Sequence, residues 1–282
     1  MISLQNIFLK DILAEINISI RDGDYIGIAG PNGSGKSSLA RIIKGIQDPT
    51  AGTVCVDGIT RPYGRVSADT GLVLANPENQ LVSSSIEEDV AFGLENMNLP
   101  SDEIAKRTED ALKWGGLGDL KDLPAHHLSA GQQQMLVLAG IMAMQPKYLI
   151  IDEAASMLDP DGKALVLEAV RRMNEEAGVA IVHISHDLDE LMRARTIYIM
   201  DRGRIVWEGA YSKLHHHESL FSDIGMELPS LLKLKSLMVN GGYHIDDNAV
   251  TEEEMAEEIV KLVNILEESK NASLKTLGAV KE

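Results

Sequence analysis

The run Gly30-Pro31-Asn32-Gly33-Ser34-Gly35-Lys36-Ser37 constrains this chain more than any other feature. It fits the pattern G-x-x-x-x-G-K-S and lies between an apolar strand candidate, Tyr25 to Ala29, and a helix candidate, Ser37 to Gly45. Its glycines permit a tight backbone whose N–H groups point inward at phosphate oxygens, and the helix that follows adds the positive end of its dipole. Lys36 is placed to reach the β- and γ-phosphates, and the Ser37 hydroxyl to ligate Mg²⁺. The motif implies a site for a nucleoside triphosphate, and hence an α/β nucleotide-binding core.

The rest of the pattern agrees. Residues 1 to about 70 alternate in β fashion, with turns at Asp22-Gly23-Asp24 and Val56-Asp57-Gly58. A helical stretch follows from about Ser85 to Met144, with a start at Pro100-Ser101-Asp102-Glu103 and a stop at Gly115-Gly116. Tyr148 to Ile151 and Val179 to Ile184 read as short strands apolar on both faces, as in a parallel sheet covered by helices. Beyond about Tyr211 the character changes. Thr251-Glu252-Glu253-Glu254 matches a capping box, and Met255, Ile259, Leu262, Val263 and Leu266 form one apolar helix face that must pack on something.

An excess of 43 acidic over 26 basic residues, net −17, argues against nucleic acid or an anionic membrane surface as a general partner. From Tyr211 onward there are seven basic and thirteen acidic residues, a solvated acidic surface. The single cysteine, Cys55, lies in the strand-like run Thr53 to Asp57 and reads as a packing residue. No signal peptide is expected at Met1 to Gln5, and the apolar run Met135 to Met144 is too short to span a bilayer. The expectation is a cytoplasmic protein; at a membrane, other subunits must supply the span.

Two further segments carry chemistry. Tyr148-Leu149-Ile150-Ile151-Asp152-Glu153 is an apolar strand ending in two carboxylates: Asp152 can serve a metal at the sheet edge, and Glu153 can polarise an attacking water. Leu128-Ser129-Ala130-Gly131-Gln132 places a serine at the start of a helix running from Gln132 to Met144, a second helix N-terminus with anion-binding donors.

In this order, these motifs resemble the ATP-binding subunits of ABC transporters from about Ile2 to Gly209. The phosphate loop looks like the family's Walker A, Ile150 to Glu153 its Walker B, and Leu128 to Gln132 its signature, with Ala130 where glycine is usual. Ser156-Met157-Leu158-Asp159-Pro160 looks like its D-loop, and His186, in Ile184-Ser185-His186-Asp187, falls at its switch histidine. The resemblance implies a P-loop NTPase core of ABC type, α/β with a mixed sheet, flanking helices and a helical subdomain. It sets an expected nucleotide-binding domain over 1–210, the helical subdomain at about 85–145, and a small helical extension over 211–282 suited to dimerisation.

Carried over by position, Asn32, Gly33, Ser34, Gly35, Lys36, Ser37 and Ser38 hold the phosphates of ATP and the Mg²⁺, with Asp152 supporting the metal. Glu153 is the general base, and His186 contacts the γ-phosphate. The family pairs two such domains head to tail, so Ser129, Ala130, Gly131 and Gln132 face ATP held by a partner, beside the D-loop residue Asp159. Phe8 is the nearest candidate for the aromatic residue that stacks on adenine, core packing being the other reading. The family's Q-loop glutamine falls at Ala75, and Gln80, five residues on, is a poor substitute.

A finer resemblance rests on Asn76-Pro77-Glu78-Asn79-Gln80 and on Ile86 to Asn96, which look like the ATPases of energy-coupling factor transporters, cobalt and nickel importers included. It implies an ATPase on the cytoplasmic face of the cell membrane, driving uptake of a vitamin or transition-metal ion. Its partners would be a second ATPase subunit, the same or different, a transmembrane coupling subunit received near Gln80 to Glu95, and a separate membrane subunit for substrate capture. The alternatives are the ATPase of a conventional ABC transporter and a weakly active member of a heterodimeric pair, which Ala75 favours. A soluble ABC clamp of the DNA-repair type would need a coiled-coil insertion or a tandem domain that is not found. His215-His216-His217 reads as a solvated loop rather than a metal site, because consecutive histidines cannot all face one ion.

Overall fold

The computed structural model describes residues 1–279; the side chains of residue 266 and of residues 268–279, Leu266 of the expected apolar stripe among them, lie outside the description. The chain divides into two compact units, Met1–Glu208 and Gly209–Glu282. No helix among the described residues is long and apolar enough to cross a membrane.

The first unit opens with β1 (Ile2–Leu9), β2 (Leu13–Ile20), β3 (Tyr25–Ala29) and the helix α1 (Lys36–Lys44), then β4 (Ala51–Val56), β5 (Ile59–Thr60) and β6 (Thr70–Leu74). Three helices follow, α2 (Ile86–Glu95), α3 (Ser101–Trp114) and α4 (Ala130–Ala143). The unit closes with β7 (Tyr148–Asp152), α5 (Pro160–Glu175), β8 (Ala180–Ile184), β9 (Thr196–Asp201) and β10 (Arg204–Gly209). An antiparallel sheet of order β2-β1-β4-β5 accompanies a six-stranded sheet of order β10-β9-β3-β8-β7-β6.

In the larger sheet β9, β3, β8, β7 and β6 run parallel. Every residue of β3, β7 and β8 is buried, which is why these segments read as unbroken apolar runs rather than alternating ones. Their register decides where the chemistry goes: Leu74 lies opposite Asp152, Asp152 opposite Ile184, and Ile28 opposite Ile184. The residues that follow, Ala75, Glu153, Ser185 and Gly30, therefore leave the sheet together at its carboxyl edge. One core joins both sheets to α1 through Ile2, Leu4, Ile28, Leu39, Ile42 and Tyr148. A second core holds α2, α3 and α4 together through Ile86, Val90, Leu112 and Leu136.

The second unit contains a 3₁₀ segment at Tyr211–His217, then α6 (Glu218–Asp223), α7 (Ser230–Asn240) and α8 (Glu252–Ala279). The capping box at Thr251 forms: Glu254 N–H donates to Thr251 Oγ1 at 3.2 Å, and Thr251 N–H to Glu254 Oε2 at 3.0 Å. Of the apolar stripe on α8, Met255 is buried with Ile245 and Ala249, and Leu262 packs on that cluster, whereas Val263 is exposed. The expectation of a solvated histidine loop fails at His215, which is buried at 2% exposure. The reason is the 3₁₀ turn, which directs the His215 ring inward and stacks that of His216 beside it, centroids 3.9 Å apart.

An ion network that the sequence does not advertise fixes the chain after β8. Lys163, on the first turn of α5, sits 2.6 Å from Asp187 and 2.8 Å from the buried Glu190. Glu190 also faces His183 at 3.4 Å, and His183 meets the Tyr25 hydroxyl at 2.9 Å. Burial works to raise the Glu190 carboxyl, but contact with His183 and Lys163 outweighs it and brings the group down to about 2. Depressed from 4.5, Glu190 contributes stability that is complete above that value and is lost as pH falls toward about 2. Lys163→Met is expected to lower unfolding free energy by about 3 kcal/mol at neutral pH, the low end for a broken buried pair because His183 remains. It should also flatten the acid limb of the stability curve. Denaturant melts of both proteins across the acid range check this, and equal stabilities would refute it.

Candidate nucleotide-hydrolysis site

The phosphate loop leaves β3 where a side chain cannot follow. A Cβ on Gly30 would lie 2.1 Å from the Met200 carbonyl oxygen of β9, and Gly35, at φ 103°, would press a Cβ to 2.6 Å from Leu13. Gly33 adopts φ 80°, in the left-handed region that glycine enters without cost. Asn32 and Gly33 are exposed, Ser34 is buried with its hydroxyl unpartnered, and Ser38 is half-buried on α1. Lys36 is buried, and its ammonium donates to the carbonyls of Gly30 at 2.8 Å and Pro31 at 3.1 Å. Burial pulls the Lys36 ammonium below its ordinary value, opposed by the charges of Glu153 and Asp152. A phosphate there would add counter-charge to that of Glu153 and Asp152.

At the neighbouring strand end, the Ser37 hydroxyl donates to Asp152 Oδ1 at 3.1 Å. Burial raises the Asp152 carboxyl, with the Ser37 hydrogen bond working against it. A buried carboxylate and a hydroxyl form an all-oxygen donor set, which fits a hard cation such as Mg²⁺. Glu153 holds a left-handed backbone at φ 56°, a conformation costing a non-glycine residue roughly 1–3 kcal/mol, and its N–H donates to the Ile184 carbonyl at 3.0 Å. That turn aims its carboxylate into the cluster, 3.9 Å from Lys36 Nζ and 3.3 Å from His186 Nδ1. The carboxylate, the imidazole and the ammonium thus meet at one point, delivered by β7, β8 and α1. Lys163 and Asp187 brace the His186 turn from behind.

Ser129 caps α4. It accepts from Gln132 N–H at 3.3 Å while its own N–H donates to Gln132 Oε1 at 3.0 Å. Ser129 and Ala130 are exposed, but Gly131 is buried because α4 touches α5 there: a Cβ on Gly131 would lie 3.0 Å from Gly162 Cα. Asp159 caps α5, accepting from Gly162 N–H at 2.8 Å. In the fold, then, Ser129 and Asp159 both serve as N-caps.

The placement of some residues near the site carries no sequence signal. Gln80 is turned back on β6, its Oε1 accepting from Leu74 N–H at 2.7 Å and its Nε2 donating to the Leu72 carbonyl at 2.9 Å, while Gln134 donates to the Leu74 carbonyl at 3.1 Å. Both ends of the Gln80 amide are therefore engaged at the strand end preceding Ala75. Phe8 stands half-buried on β1 opposite Ala51, while the residues bordering the loop at Gly35 are Ile12 and Leu13, with Ile12 44% exposed. The short turn between β1 and β2, closed by Ile12 N–H donating to the Leu9 carbonyl at 2.8 Å, brings them there, and no residue-type pattern marks it.

Comparison with known proteins places this geometry. The ABC transporter family matches residues 13–156. The energy-coupling factor transporter ATP-binding protein EcfA of Methanosarcina acetivorans is 43% identical over 89% of this chain and 92% of its own length. EcfA1 of Clostridioides difficile is 36% identical over 88% and 91%. Among solved structures, cbiO1 of Clostridium perfringens, part of the ABC transporter complex cbiONQ, superposes with a TM-score of 0.72 at 33% identity, over 83% of this chain and 98% of that one. The dimeric cassette MJ0796 shares the fold, with a TM-score of 0.66 at 24% identity over 75% and 99%. With its phosphate loop, strand-end carboxylates and helix-capping serine arranged in this way, the chain belongs to the ABC transporter family of ATP-binding proteins, among the energy-coupling factor ATPases.

Proposed function

We propose that this protein is the ATP-hydrolysing subunit of an energy-coupling factor importer, working on the cytoplasmic face of the membrane to drive uptake of a vitamin or transition-metal ion. The observation that carries the reading is the meeting of Lys36, Glu153 and His186 beside the Ser37–Asp152 pair at one sheet edge. The loop N–H groups and Lys36 hold the β- and γ-phosphates. Ser37 and Asp152 hold Mg²⁺, which when bound offsets phosphate charge. Glu153 takes the proton of the attacking water, oriented with His186, a role worth ~10²–10⁴-fold in rate. Exposed Ser129 and Ala130 present the signature to ATP on a second subunit, paired head to tail. Residues 211–282 would add to pairing, a role supported by the exposed Val260, Val263 and Ile265 on α8. A transmembrane coupling subunit would dock near Gln80 to Glu95, where Phe92 is half exposed, and another membrane subunit would capture the substrate. Copurification from native membranes should recover integral membrane proteins together with a second ATPase chain. Recovery of this chain alone, free of membrane partners, would contradict the importer reading.

Two variants separate the halves of the composite site. Glu153→Gln should keep ATP affinity, lower turnover by ~10²–10⁴-fold and accumulate an ATP-dependent dimer on size exclusion. Ser129→Arg should bind ATP as the wild type does, yet form no such dimer when added to the Glu153→Gln background. An undiminished dimer in the double variant would contradict the head-to-tail assignment.

Ala75 favours a second reading, in which this chain is the slower member of a heterodimeric pair. The side chain at this position offers no amide oxygen, and Gln80 is committed to β6. Losing one positioning contact costs transition-state stabilisation and little ground-state affinity. Ala75→Gln should therefore raise the ATPase rate of the assembled complex several-fold with ATP affinity little changed. A rate that is unchanged or lower would refute this reading of Ala75.

A further inference from the structure

The second unit contains a polar cluster unrelated to nucleotide. One ligand atom from each of His215, His216 and Asp247 lies within 4.8 Å of the other two, drawn together from positions 31 and 32 residues apart. His215 is almost fully buried, and its Nδ1 lies 2.8 Å from the Ser212 carbonyl oxygen. A carbonyl oxygen only accepts, so Nδ1 carries the proton and the neutral ring presents a bare lone pair at Nε2. That lone pair faces Asp247 Oδ1 at 3.4 Å and has no hydrogen-bond partner. His216 Nε2 approaches the same oxygen at 3.2 Å. An acceptor buried against an acceptor is costly unless a proton or a cation lies between them.

We infer that His215, His216 and Asp247 form a binding site for a divalent transition-metal ion of the zinc type. Ligands about 2.0–2.1 Å from a tetrahedral zinc stand ~3.3 Å apart, close to the 3.2 and 3.4 Å separations of the imidazole nitrogens from Asp247. Two imidazoles and one carboxylate suit zinc, nickel or cobalt rather than magnesium or calcium, and a fourth position would be left to water. The outer shell is in place: the Ser212 carbonyl fixes the tautomer of His215, as ligating histidines require. Buried Lys235 donates to the carbonyls of Asp247 at 2.6 Å and Ala249 at 3.1 Å and so holds that loop. Lys213 pairs with the other Asp247 oxygen, Oδ2, and leaves Oδ1 to the imidazoles. The two ammonium groups, Lys213 and Lys235, are the charges that oppose a cation there, and they argue for a moderate rather than an extreme affinity.

Equilibrium dialysis of the full-length, tag-free, nucleotide-free protein against Zn²⁺, with metal analysis, tests the site. One zinc per chain is expected. His216→Ala, at a half-exposed position, and Asp247→Asn should each weaken retention by at least the ~10-fold that even the loss of an outer-shell partner costs. Cobalt substitution should give a visible absorption band that both variants lose. Zinc retained equally by wild type and both variants, or by none of them, would overturn the assignment.

Discussion

Everything in the first unit depends on parallel strands that end at one level. Parallel pairing fixes direction as well as neighbour, so the four chain exits from β3, β8, β7 and β6 emerge on the same rim in a set order. Ligand sites outside the carboxyl ends of such strands are a general property of open α/β sheets. Here the consequence is specific. The loop from β3 supplies N–H donors, β7 supplies two carboxylates and β8 supplies an imidazole, and none of these has to cross the sheet. A slip of one residue in β7 would turn Asp152 to the opposite face and separate it from Ser37.

The cluster at the sheet edge could be read from sequence to the extent that its residues announce themselves by local chemistry. Asp152 and Glu153 stand out because charge follows directly on a buried apolar run, and Ser129 stands out as a helix cap. The strands β3 and β7 were readable for the same reason: a stretch buried on both faces leaves no polar residue to interrupt it. The Lys163–Glu190 pairing and the turning back of Gln80 were not readable. Each depends on two residues brought together by packing of elements whose own sequences are indifferent to it, and burial of a carboxylate is a tertiary property. The inward turn of His215 belongs with them, since its partner Asp247 lies beyond two helices in sequence.

Buried charge is distributed unevenly in this fold. In the first unit Lys36 and Asp152 are held in states that burial disfavours, and Glu153 adopts a left-handed backbone. Glu190, equally enclosed, by contrast has Lys163 against its Oε1 at 2.8 Å. At this rim the groups that would meet phosphate, metal and water are ones that burial or backbone conformation disfavours, while behind them Lys163 pairs with Glu190. Such a division is what preorganisation requires: donors fixed before the ligand arrives, so that little reorganisation remains for the reaction itself.

The contact of Gly131 with Gly162 has a mechanical consequence. With no side chain on either glycine, α4 and α5 touch backbone to backbone at their first turns, and each helix is capped there by its own motif residue, Ser129 on one and Asp159 on the other. Two helix ends in such contact cannot slide past one another without opening a void that no neighbouring side chain can fill. Ser129 and Asp159 are therefore held side by side at one packed joint, each on its own helix start. A tilt of α4 on the side of α2 and α3 would have to repack this joint, because neither glycine offers a side chain to take up the gap.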